Sequence, residues 1–170
     1  MRAFFEISGL NIYLQIAVTI ISIAVHLFVT RNKKRAETTL DLITQYTIGL
    51  AGWFSINSGV FGHLIFADEV ARSIGWPLNC GFQMELAFAA IGIGIVGFLG
   101  FWNRSFWLPF IIAKTSLMWG AGVTHAIHIN REKNLSPSNT GIVLYWDFLF
   151  PIIMIVLYIY FRREQNTIER

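Results

Sequence analysis

Five separate stretches of this 170-residue chain are each apolar and long enough to cross a lipid bilayer. A hydrocarbon core about 30 Å thick takes roughly 20 helical residues. No backbone group finds water there, so each crossing segment must satisfy its own hydrogen bonds as a helix. The stretches fit residues 9–30, 41–66, 81–102, 105–129 and 140–161. The expected fold is therefore all-α: one integral membrane domain of five transmembrane helices spanning 1–170, with the lipid bilayer as its principal partner.

Composition agrees. The chain is 55% hydrophobic and only 14% charged, with mean hydropathy +0.56, where a soluble domain carries about 25% charged residues. One water-facing core cannot bury that much apolar surface. The net charge of +3 is ordinary for a membrane protein and makes no case for nucleic acid. A lone cysteine, Cys80, excludes an intramolecular disulfide and any multi-cysteine metal site. The first apolar stretch is too long for the core of a signal peptide and runs into the basic RNKKR, so no cleavable leader is expected.

Basic residues set an orientation. Arg31, Lys33, Lys34, Arg35, Arg104, Arg162, Arg163 and Arg170 fall on one side, and Arg2, Arg72, Arg131 and Lys133 on the other. The positive-inside rule places the larger set in the cytoplasm, with the N-terminus outside and the C-terminus inside. The expected location is a prokaryotic cytoplasmic membrane. Between spans two and three, Ala67, Val70, Ala71 and Ile74 recur at helical spacing, and Asp68 and Glu69 suit a helix start. This predicts a short amphipathic surface helix, ended by Trp76 and Pro77 at the headgroups; an irregular loop with a Trp anchor is the alternative.

With direction fixed, polar residues can be placed in depth. His63 lies three residues before the outer end of span two, and Glu85 four after the outer start of span three. His125 and His128 lie four and one before the outer end of span four, and Asp147 seven after the outer start of span five. Titratable groups at membrane depth are costly, face the bundle interior and pair with one another. Four helices offering one at a single level point to a shared polar site, and Tyr13 and Gln15 of span one reach a similar depth. Small residues mark the helix faces that pack: Gly52, Ser55 and Gly59 with His63, and Ala89 and Gly92 with Glu85. The glycines of span three, at 92, 94, 97 and 100, read as packing. Pro151 frees the carbonyl of Asp147, four residues earlier. Lys114 is expected to snorkel toward the cytoplasm or to bond a polar residue of span two such as Gln45, and a direct pair with Asp147 is not expected.

Two imidazoles three residues apart, with His63, Glu85 and Asp147, make a mixed His/carboxylate set. Such sets suit zinc, iron or copper, and helix bundles build metal sites from facing helices. Gln83, Asn130, Asn139 or the freed carbonyl of Asp147 are candidates to hold the histidines' second nitrogens, and Asp68 and Glu69 to line the entrance. No Glu-x-x-His or His-Glu-x-x-His motif is present, so the metal expectation rests on convergence alone. Three functions stay open: a membrane metalloenzyme, a proton or small-solute transport component, and a non-catalytic subunit of a larger membrane complex or homo-oligomer.

The elements GH (62–63), ADEVARSIGW (67–76), FQMEL (82–86), the His125/His128 pair and NTG…YWD (139–147) resemble an uncharacterised family of small polytopic membrane proteins of bacteria and archaea, a domain of unknown function. The resemblance covers about residues 45 to 155. It implies that these elements belong together and carries no reaction with it.

Overall fold

A computed structural model describes residues 9–31, 38–78 and 81–168. The basic cluster at 33–35, Cys80, Arg2 and Arg170 lie outside the described residues. The helices are α1 (Leu10–Val29), α2 (Thr39–Asn57) running on as a π-helix (Ser58–Ile65), α3 (Ala67–Ile74), α4 (Gly81–Leu99), α5 (Trp107–Glu132), α6 (Pro137–Thr140) and α7 (Ile142–Ile168). Five of the resulting segments are long and apolar enough to cross a membrane: Leu10–Val29, Thr39–Ile65, Gly81–Leu99, Arg104–Glu132 and Pro137–Thr167. No strand occurs among the described residues. Large apolar side chains such as Ile20, Phe28, Phe88, Ile112 and Tyr160 stand exposed around the bundle, a surface that suits lipid and not water.

Backbone-to-backbone contact between α2 and α4 organises the bundle. A Cβ on Gly52 would meet Phe98 N at 2.2 Å and Gly97 C at 2.5 Å, and one on Gly94 would meet Ile56 N at 2.7 Å. Without a hydrophobic force between helices in lipid, such close approach is what holds them. Ser55 Oγ reinforces it by donating to Ala90 O at 3.0 Å. Gly92 does not take part: it is exposed, with open space around it. The packing face of α4 is Ala87, Ala90, Gly94 and Gly97, all buried, and not the expected Glu85–Ala89–Gly92 stripe.

One end of the bundle is filled and tied. Ile48, Trp107, Phe110, Met154 and Phe161 form a buried cluster, and the Trp107 indole donates to Gly100 O at 2.8 Å. Thr38 caps α2 by accepting from Asp41 N at 3.1 Å and itself donates to Glu164 Oε2 at 2.7 Å. Arg104 clamps the buried Asp41 with two bonds, Nε to Oδ1 at 2.8 Å and Nη2 to Oδ2. Gln45 donates to Phe101 O at 2.7 Å.

At the other end α3 forms as an amphipathic helix, with Ala71 and Ile74 buried. Its stop is a left-handed Gly75 at φ 80°, with Trp76 N donating to Ala71 O at 2.8 Å. That turn swings Trp76 inward. The 133–141 connection locks onto α3 through Asn134 Nδ2, which donates to Ile74 O at 2.8 Å.

Candidate functional site

Between the helices at the α3 end lies a cavity of about 590 Å³ to which all five spanning segments contribute wall. Most of the wall is apolar. Its polar members include His63 from the π-helix, Lys114 and His125 from α5, and Asp147 from α7, with Trp76 over them. This volume falls within the range of small-molecule pockets.

The two histidines are built alike. His125, buried, is bonded through Nδ1 to Asn139 Oδ1 at 2.7 Å. Asn139 is itself fully buried, and its Nδ2 donates to Asn134 O at 2.8 Å. The oxygen of that amide therefore faces the ring, so His125 Nδ1 carries a proton and donates it. In the neutral ring Nε2 is then an acceptor, and it faces Asp147 Oδ2 at 3.8 Å. His63 Nδ1 meets Gln83 Oε1 at 2.5 Å in the same way. Gln83 and Asn139 thus each bond the Nδ1 of one histidine. Gln83 Nε2 has no partner of its own.

Asp147 is the least satisfied group in this set. It is 8% exposed, and its Oδ2 is buried with no hydrogen-bond partner. Gly122 makes room for it, because a Cβ there would meet Asp147 Cβ at 3.3 Å and the Phe148 ring at 2.8 Å. One turn on, Pro151 is buried within an unbroken α7. Lys114 does not snorkel. Its Nζ donates to Ser55 Oγ at 3.3 Å, and it lines the cavity floor with Asp147 across from it, without closing a direct ion pair. That bond is the expected one to a polar residue of span two, made by Ser55 and not by Gln45, which donates to Phe101 O.

Two members of the expected set stand apart. Glu85 is exposed among the outward-facing Met84 and Phe88, because the inward face of α4 is set by its small residues, nearly half a turn away on the helix. His128 accepts the Trp76 indole N–H at Nδ1, at 2.9 Å, and stands 3.9 Å from Glu132. Asp68 and Glu69 sit half-buried in the first turn of α3, beside the wall to which Val70, Ser73 and Ile74 contribute. Among the described residues no three His, Cys, Asp or Glu converge as a metal group. The convergence of helices is real, but the metal set is not assembled.

The side-chain contacts of Trp76 are what sequence reasoning missed. It follows the end of α3 as expected, and it also stacks on His125 with centroids 6.0 Å apart and meets His128 edge-on at 5.8 Å. A signal was available: an indole N–H that leaves water seeks an acceptor, and His128 stood at its level.

Fold and site together define a five-helix membrane bundle, hollow at one end and polar-lined within the hollow. The chain belongs to the DUF6790 family, a family of unknown function that it matches over residues 10–167. Neither a curated protein nor a solved structure matches it.

Proposed function

We infer that the protein binds a small amphiphilic molecule inside the membrane, in the cavity at the α3 end, which the distribution of basic residues puts on the outer side of a prokaryotic cytoplasmic membrane. The carrying observation is the cavity itself: a largely apolar room of about 590 Å³ whose polar groups are aimed inward. A partly open cavity between helices loses packing contacts unless something occupies it. A metal centre fits the donors less well, because His125 and Asp147 make a pair and zinc, iron or copper sites take three or four protein ligands. The succession of Lys114, Asp147 and His125 along the cavity favours a proton relay as second reading.

The test is native mass spectrometry of protein carried from its membrane into nanodiscs, beside an Ala121→Trp variant that fills the cavity. A bound non-protein mass of a few hundred daltons, absent from the variant, is expected. Empty wild-type protein, with proton flux in liposomes lost in Asp147→Asn, would replace binding by the relay.

A further inference from the structure

The unpaired atoms in the cavity specify what its ligand must bring. His125 Nδ1–H is committed to Asn139, so Nε2 presents a lone pair, and Asp147 Oδ2, 3.8 Å away, presents another. The two atoms face each other without a hydrogen bond, and Asp147 Oδ2 is left buried without a partner. Such an arrangement costs free energy until a donor fills it. Lys114 contributes a cation to the same cavity. A cationic ligand would add a second positive charge in a medium that penalises charge, and an anionic one would set a second negative charge beside Asp147. A hydroxyl donates without adding either.

We propose that the cavity's ligand is a neutral amphiphile whose polar end is a hydroxyl that donates to Asp147 Oδ2 beside His125 Nε2, with its apolar remainder lying along Met118, Phe150 and Phe54 toward the floor at Lys114 and Ser55. Lys114 and His125 are eleven residues apart on α5, about 16 Å along the axis at 1.5 Å per residue, so an alkyl chain or fused ring system fits below the hydroxyl. Trp76, stacked on His125, forms part of the wall at the polar end. The inference rests on the binding reading above and adds the chemistry of the recognised group.

Three probes of like shape separate the possibilities: 4-n-heptylphenol, its methyl ether 4-n-heptylanisole, and 4-n-heptylbenzylamine, cationic at neutral pH. Each is added at equal mole fraction in the lipid to protein in nanodiscs, and saturable shifts in melting temperature are read against Ala121→Trp, which subtracts non-specific partitioning. The phenol is expected to bind about tenfold or more tightly than the ether, the effect of one hydrogen bond to a charged acceptor. That preference disappears in Asp147→Leu. Should this variant not fold, Asp147→Leu combined with Lys114→Met serves instead. Equal binding of phenol and ether overturns the hydroxyl assignment while keeping the pocket. Preference for the amine also overturns it, and makes Asp147 a cation site. Binding of none of the three overturns the pocket and the inference together.

Discussion

The two ends of the bundle handle buried charge in opposite ways. At the filled end Arg104 grips Asp41 with two bonds, Thr38 caps the same turn, and aromatic side chains occupy the space around. At the hollow end Lys114 bonds a serine, Asp147 keeps an oxygen without a partner, and a cavity lies between them. The same charge types thus serve two purposes. A satisfied pair fixes helix register, whereas an unsatisfied pair lining a cavity lowers stability, a cost that the proposed ligand would offset. The helix geometry follows this division. α2 is regular where it packs on α4 and becomes a π-helix over Ser58–Ile65, where it carries His63 to the cavity. π-helical turns occur frequently at functional sites.

The largest effect should come from the seam that both ends share. Gly52→Val places atoms where Phe98 N and Gly97 C already lie, within 2.5 Å of an added Cβ, and backbone cannot move aside. A loss of about 3 kcal/mol or more is expected, seen as a collapse of the monodisperse fraction in size-exclusion chromatography. Gly92→Ala, with nothing within 4 Å, should melt within about 0.5 kcal/mol of wild type. A tolerated Gly52→Val would break the picture of α2–α4 contact and the comparison with it.

Next in size is the tied end. Asp41→Asn keeps the shape but removes the charge that Arg104 clamps. Asp41 is 4% exposed at its side chain and Arg104 48%, so water relieves part of the loss on the arginine. A cost of about 1–3 kcal/mol follows, read as a lowered melting temperature in mild detergent with no change in phenol binding at the far end. A change in phenol binding would show that the two ends are coupled.

How much of this was legible in the sequence follows from which signals survive in apolar segments. The spans were, because length and continuous hydropathy are strong signals and polar backbone has no other course in lipid. So was the level at which polar groups gather, and so were the amides behind His63 and His125, because an imidazole in a bundle needs its second nitrogen held. The facing of α4 was not. Gly81–Leu99 is apolar all round, so its inward side is fixed by small residues meeting Gly52 and Gly59, and Glu85 was read onto the wrong side. The contacts of Trp76 with His125 and His128 were not legible, because they depend on the left-handed Gly75 and on how α3 docks beside α5. The π-helix has no residue signature, since the same glycines and serines serve an ordinary helix. Lys114 was legible in part: a bond to a polar residue of span two was expected, and Ser55 rather than Gln45 supplies it.

The smallest effect is the sharpest test, because its sign separates the two ends. Replacing a buried pair of opposite charges by apolar residues of similar size is often neutral or stabilising when the pair is poorly satisfied, since both desolvation costs disappear together. Lys114 and Asp147 fit that description, lacking a direct ion pair and retaining an open oxygen. The Lys114→Met/Asp147→Leu double variant should therefore melt at or above the wild-type temperature, with a gain of about 0–2 kcal/mol. Asp147→Leu alone should melt lower, because the Lys114 cation then lacks its counter-charge. The same double variant should lose the preference for phenol over ether. Stability kept and recognition lost would mean that the charges at the hollow end are held for the ligand rather than for the fold. A double variant that melts well below wild type would mean that they hold the helices together as Asp41 and Arg104 do, and the contrast between the ends would fail.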